Sequence, residues 1–314
     1  MKKCISVGGQ ALIEGIMMKS PEKAVLAVRA PDKSIVYEEI NYTPLKDRIK
    51  FLGLPIIRGV VNFVESLIQG YKVLMRSAEL SGFTELEEDK PKDKENKDNQ
   101  SFLINIIMII ASVLGALLAV VLFMYLPALL FNFTNGLLGG GITPFRALFE
   151  GVLKIAIFIV YILLVSKTKD IKRVFMYHGA EHKAIFCYEA DEELTVENVK
   201  KHSRFHPRCG TSFMVLMLVC GIIITFLVQT IFPAVTKNLY LWVAIKILML
   251  PLICGIGYEL IKICGKYQNK LTKAIAFPGL LVQRITTKEP DDDMCEIAIA
   301  ALTSVLPQKD SEQI

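Results

Sequence analysis

All four histidines of this 314-residue chain fall between Tyr177 and Phe213. They form two His-x-x-x-His pairs, His178/His182 and His202/His206. On a helix this spacing sets both imidazoles of a pair on one face, a turn apart. Glu181 follows His178 by three residues, and Cys209 follows His206 by three. Imidazole, thiolate and carboxylate are the donors a borderline-soft divalent ion prefers, so the stretch predicts a metal centre, with Zn2+ as the expected ion.

His178-Gly-Ala-Glu181-His182 is an H-x-x-E-H sequence, and its three functional side chains project within roughly one-third of a helix circumference. Two imidazoles can hold one ion while Glu181 serves as general base towards water, the division of roles in H-E-x-x-H hydrolases and the reversed inverzincins. Taken alone the pattern is weak, because charged helices produce it by accident. Gly179 costs a helix interior roughly 1 kcal/mol against Ala, acceptable where something must approach closely. The second half strengthens the signal: Pro207 and Gly210 imply a turn that curls His206 and Cys209 round an ion. With His178, His182 and His206 as ligands, a coordination position stays open and the centre is catalytic. With Cys209 as a fourth it is closed and structural. His202 is left beside the ion or in solvent, and Arg204 or Arg208 is placed to position an anionic group. A lone histidine here would read as an interfacial or hydrogen-bonded residue; four confined to one window do not.

The rest of the chain must position this segment. Its composition is 53% hydrophobic and 21% charged, with net charge +5. The apolar excess sits in long runs, which excludes an ordinary soluble domain and predicts a mainly α, polytopic membrane protein. The basic residues cluster near those runs, as topology and lipid-surface signals and not as a nucleic-acid footprint. Seven scattered cysteines outline no disulfide framework and imply a reducing compartment. Met1-Lys2-Lys3 is not followed by a clean apolar core, so no signal peptide is expected.

Residues 1–50 read as a small polar region with one hairpin, Ala24–Ala30 and Ser34–Ile40 joined by Pro31-Asp32-Lys33. Before it, Gly8 and Gly9 offer a close backbone approach. Glu14, in an apolar patch, is either salt-bridged in a loop or a contributor to the metal pocket. Residues 55–80 form a helix whose stripe of Arg58, Asn62, Glu65, Gln69, Lys72 and Arg76 runs along an apolar cylinder. That pattern suits an in-plane interfacial helix better than a spanning one. Residues 84–100 read as a mobile charged linker.

Four spans are expected, at Phe102–Leu126, Phe145–Val165, Phe213–Phe232 and Leu239–Lys262. Residues 127–144 contain no Lys or Arg and 166–212 contain nine, so the positive-inside rule places both termini and the histidine segment 166–212 in the cytosol. Glu150 and Lys154 can pair one turn apart. Lys246 has no local partner and either snorkels to an interface or serves function. Asp291–Asp293 caps a final helix to about Leu306 in the cytosolic region 263–314, with Met294, Ile297, Ala298 and Ala301 as its buried face.

The chain resembles the YqhQ-like family of uncharacterised bacterial membrane proteins. The resemblance is carried by GGQALIEGIMM (Gly8–Met18), HGAEHKAIFCYE (His178–Glu189), FHPRCGTSF (Phe205–Phe213) and PGLLVQRITTKEP (Pro278–Pro290), with no departure at His178, Glu181, His182, His206 or Cys209. It implies a multi-pass protein of the bacterial cytoplasmic membrane and, by the family's label, a metal-dependent activity without a substrate. The combined expectation is a metal-dependent hydrolase at the cytosolic face, acting on a lipid headgroup or a membrane-protein segment. The rival is a non-enzymatic scaffold or biogenesis factor with a structural metal. A transporter reading, motivated by Glu150, Lys154 and Lys246, is disfavoured by the lack of internal repeats.

Overall fold

The sequence pattern predicts one hairpin near the start of the chain. The computed structural model, which describes residues 7–41, 45, 49–83, 97–267 and 269–307, holds a four-stranded antiparallel meander there. Its strands are β1 (Gly8–Leu12), β2 (Gly15–Lys19), β3 (Ala24–Arg29) and β4 (Ile35–Ile40), in the order β1-β2-β3-β4. The last two are the expected hairpin. The first two escape a reading by composition because Gly8, Gly9 and Gly15 interrupt their apolar pattern.

β2 and β3 are buried almost throughout because both faces of the sheet are covered. On one face Leu12, Met17, Leu26 and Val28 pack against Val73 of α1 (Ile57–Leu80). On the other, Ile16, Met18, Val25 and Ala27 meet Tyr177, Ala180 and Ala184 of α5 (Lys169–Glu189) together with the face of α11 (Asp292–Val305). That α11 face contains Met294, Ile297, Ala298 and Ala301, each fully buried, and Asp291 caps the helix by accepting the Met294 N–H at 2.9 Å. The helix with the histidines is thus clamped between sheet and α11.

Between these elements the chain is mainly helical. α2 (Lys97–Val120) runs through a π-turn, Val121–Tyr125, into α3 (Leu126–Leu137). Residues 127–144, expected as a connection, are therefore helical as far as Leu137. Pro127 lacks an N–H and crowds the preceding turn, and the wide π-turn accommodates it without ending the helix. α2 also begins at Lys97, inside the stretch expected as linker; residues 84–96 of that stretch lie outside those described. α4 (Arg146–Val165), α6 (Val196–Lys201), α7 (Gly210–Ile231), α8 (Leu239–Leu248), α9 (Leu250–Lys266) and α10 (Lys270–Thr286) complete the helices that concern the site.

Among the described residues, three helices are long and apolar enough to cross a membrane: Ile110–Leu137, Thr143–Val165 and Gly210–Ile231. A fourth arises if Leu239–Leu248 and Leu250–Cys264, bent by 42°, count as one. These lengths are compatible with a membrane protein.

The polar stripe of α1 turns towards protein. Arg58 forms a two-pronged ion pair with Glu259 of α9, at 2.6 and 2.5 Å, and Asn62 donates to Tyr258 Oη at 2.8 Å. Gly59 lets the two helices touch, since a Cβ there would lie 2.9 Å from Gly255 Cα. The opposite face leaves Val64, Leu67, Ile68 and Tyr71 exposed.

Lys246 does have a partner, though a distant one in sequence. It is 2% exposed and hydrogen-bonded to Glu150 of α4. The same carboxylate accepts from Arg146 Nε and from Trp242 Nε1, each at 2.9 Å. Glu150 therefore serves Arg146 and Lys246 where an internal pair with Lys154 was the expectation.

Candidate metal centre

α5 is favoured by an acidic residue, Asp170, in its first turn, where it complements the helix dipole, and by an apolar side facing β1, β2 and α11. The face turned away from the sheet carries His178 and His182. Their donor atoms converge with Cys209 Sγ, all three lying within 4.8 Å of one another. His178 Nε2 is 3.1 Å from Cys209 Sγ, and the two imidazole centroids are 4.4 Å apart. Cys209 reaches this point because it is the N-cap of α7, so the cluster joins α5 to the first residue of an apolar helix.

Both rings are oriented from behind by main-chain carbonyls. His178 Nδ1 donates to Thr286 O at 2.9 Å, and His182 Nδ1 to Arg204 O at 2.5 Å. A proton on each Nδ1 leaves each Nε2 lone pair free, and both face the thiol. Histidine ligands of metals are held in this way. The donor set fits a zinc-type ion: two neutral imidazoles and a thiol that becomes thiolate on binding, on scaffolds that fix their direction. Burial lowers the proton affinity of His182, an effect partly offset by its hydrogen bond to Cys209, which favours the neutral, ligating form.

His206 is not part of this convergence. Its Nδ1 accepts the Arg208 N–H at 3.2 Å, and its Nε2 faces Glu189 Oε2 at 3.6 Å. With one nitrogen occupied by backbone and the other turned to a carboxylate, the ring points away from the three donors, although its centroid is 5.6 Å from that of His182. Among the described residues the donor grouping is therefore His178, His182 and Cys209, two members of the expected triad with the expected fourth ligand, and His206 stands beside it. Desolvation pushes the Glu189 carboxyl up, but His206 and Arg208 outweigh it and hold the group below the ordinary carboxylate range.

Glu181 is 5% exposed and turned to the first strand. A Cβ at Gly9 would come within 2.9 Å of its Cδ and Oε1, so the glycine at this place is what lets β1 approach the carboxyl. Burial pushes its pKa up to about 7, against the opposing effects of His178 and of a hydrogen bond from the Gly9 backbone. Its oxygens lie outside the cluster of donors within 4.8 Å.

The other expected contributors go elsewhere. Glu14, with φ 50° in the β1–β2 turn, is paired bidentately with Arg173 and accepts the Tyr177 hydroxyl at 3.1 Å, the salt-bridged role. His202 Nε2 lies 3.2 Å from Glu192 Oε2, in a second grouping with Cys187. Arg204 donates to Thr287 O at 2.7 Å and lies 3.5 Å from Glu289, while Arg208 pairs with Glu189. Both guanidiniums are committed to protein partners. Lys246 belongs to the Glu150 cluster described above.

Composition gave no warning of the segment from Gln283 to Glu289. Gln283, fully buried, accepts the His206 N–H and donates to the His206 carbonyl, both at 2.8 Å, and also reaches Ser212 Oγ at 3.1 Å. Thr286 and Thr287 supply the carbonyls that hold His178 and Arg204, and the Lys288 N–H donates to Phe175 O at 2.8 Å. Lys183, 5% exposed, ties the same region together through Lys200 O, His202 O and Glu289, at 3.0, 2.9 and 3.0 Å. The hints in the sequence are a lone glutamine in the apolar run PGLLVQRI and the place of this segment in the family resemblance.

Gly179 shows why this segment can lie so close. A Cβ there would overlap the Lys288 carbonyl oxygen, a backbone atom that cannot swing aside. Gly179→Ala is expected to cost about 1–3 kcal/mol by overpacking and to displace the Thr286 carbonyl from His178. Denaturant unfolding with a parallel zinc titration checks both: an unchanged midpoint and unchanged affinity would contradict the close packing.

A family model described as a protein of unknown function (DUF1385) matches residues 54–308. The chain is 32% identical over 302 residues to the uncharacterized protein YqhQ of Bacillus subtilis (strain 168), covering 95% of this chain and 92% of that protein. No solved structure matches.

Proposed function

The chain belongs to the DUF1385 family, and from the geometry of its three converging donors we propose that it is a metal-dependent hydrolase of the bacterial cytoplasmic membrane. His178, His182 and Cys209 hold the ion at the cytosolic face, where α7 enters the bilayer; both termini lie on the same side. The observation that carries this reading is the pair of imidazoles locked by Nδ1 to main-chain carbonyls with both Nε2 atoms facing one thiol. A zinc-type ion would be held by these three protein donors, the number found in catalytic sites, where structural sites have four.

When bound, a zinc-type ion supplies Lewis acidity at this point. Glu181, with its pKa near 7, takes the proton from the attacking water and returns it to the leaving group. Gly9 and the fully covered sheet behind it keep that carboxyl dry, which is what holds its proton affinity near neutrality. The substrate is a lipid headgroup or a membrane-protein segment, a reading supported by the exposed apolar face of α1 beside the polar region.

A second reading draws support from where the ligands come from. An ion shared by α5 and the N-cap of α7 would staple the sheet-containing region to an apolar helix, as a scaffold requires. Glu181→Gln separates the two in proteoliposomes. A hydrolase keeps its zinc and loses roughly 10²–10⁴-fold in release of headgroup or peptide products. Wild-type protein that releases neither, with full zinc content, would sink the hydrolase reading and leave the staple.

A further inference from the structure

Three groups on one face of α1 have no part in the metal centre. Glu65, Gln69 and Lys72 stand at i, i+4 and i+7 and, with Ile40, Ile68 and Val73, line a cavity of about 510 Å³ between α1 and β4. β4 is a free edge of the sheet. The volume is in the range of small-molecule sites, roughly 300–1,000 Å³.

Glu65 is only 8% exposed. Its Oε1 accepts the Leu45 N–H at 2.7 Å, whereas its Oε2 is buried without a hydrogen-bond partner among the described residues. Gln69 Nε2, one turn along, is in the same state. A buried acceptor and a buried donor left unmade are costly, so a ligand offering the complementary donor and acceptor relieves both. Lys72 adds an exposed cation at the rim. Arg76, one turn further, is already committed to Glu38 and Glu79 at 2.7 and 2.9 Å. The wall residue Ile68 also belongs to the exposed apolar face with Val64 and Leu67, so the cavity adjoins the surface assigned to lipid.

We propose that this cavity binds the headgroup of an ethanolamine-type phospholipid. The ammonium donates to Glu65, the phosphate accepts from Gln69 and Lys72, and the acyl chains leave over Ile68 onto the apolar face of α1. Charge balance selects a zwitterion: Glu38 and Arg76, also in the lining, neutralise each other, and one carboxylate and one lysine with no ion pair among the described residues match one ammonium and one phosphate. A choline head lacks the N–H that Glu65 Oε2 requires. A purely anionic head would set its charge against Glu65. The proposal uses the interfacial placement of α1 but not the metal chemistry.

The test uses the full chain in detergent, with soluble dihexanoyl lipids, so that binding does not depend on insertion in a bilayer. Native mass spectrometry or calorimetry should find one dihexanoyl-phosphatidylethanolamine per chain. It should bind roughly ten- to hundredfold more tightly than the phosphatidylcholine or phosphatidylglycerol analogue, the value of one charge-assisted hydrogen bond. Glycerophosphoethanolamine, which has no chains, should not bind. Glu65→Gln should erase the preference over choline. Lys72→Ala, on an exposed side chain and so safe for folding, should weaken binding about tenfold. Zinc-stripped protein should give the same result, which separates this site from the metal centre. Equal binding of the three lipids, or an ethanolamine preference that survives both variants, overturns the proposal.

Discussion

Cys209→Ala is expected to strip the purified protein of zinc, from about one equivalent to background, while His206→Ala leaves the equivalent in place. The reasoning is geometric. Cys209 Sγ is the atom on which both Nε2 lone pairs converge, at 3.1 Å for His178, and it supplies the only anionic ligand of the three. Without it two imidazoles remain, too few donors for a tight site. His206, by contrast, spends its Nδ1 on the Arg208 N–H and its Nε2 on Glu189. His178→Ala and His182→Ala should behave like Cys209→Ala. Cobalt substitution gives an independent readout, since a thiolate ligand produces charge-transfer absorption that Cys209→Ala would abolish. Zinc retained without Cys209 but lost without His206 would restore the original triad and refute the present set.

Glu150→Leu is expected to destabilise the detergent-solubilised protein by about 3–5 kcal/mol, because it leaves buried Arg146 and Lys246 without their shared carboxylate. Arg146 is 4% exposed and Lys246 2%, so water cannot replace the lost partner. The double variant Glu150→Leu with Lys246→Met removes one orphaned cation along with the carboxylate, and part of the loss should return. Arg146 keeps its hydrogen bond to Thr236 O at 2.6 Å and its place over the Phe131 ring, 5.0 Å from the centroid, but stays a buried cation without its carboxylate, so recovery is incomplete. A double-mutant cycle in thermal or denaturant unfolding measures the coupling. A Glu150→Leu loss below about 1 kcal/mol would mean that the cluster contributes little to holding α4 against α8.

Periodicity and ligand chemistry made the His178/His182 pair, the apolar helices, the β3–β4 hairpin and the α11 face readable from residue order, because each depends on neighbours within a few positions. The same locality explains the misses. The helix through Pro127 depends on a π-turn that composition does not announce. β1 and β2 hide behind glycines whose purpose, room for Glu181 and for the neighbouring strand, exists only once the sheet has met α5. Glu14 and Lys246 each had two readings in one dimension, and each has its partner far along the chain, Arg173 in one case and Glu150 in the other; the first pair gives Glu14 its salt-bridged role, the second buries Lys246 beside a carboxylate.

Residue order alone therefore determined which side chains are able to bind a metal and which segments are apolar enough for a bilayer, since both are properties of residue type and short spacing. Which cysteine or histidine completes the cluster was decided by tertiary structure. The rings of His178 and His182 are held from behind by the carbonyls of Thr286 and Arg204, whereas His206, its backbone fixed by Gln283, turns to Glu189, and all these partners come from outside the H-x-x-E-H motif.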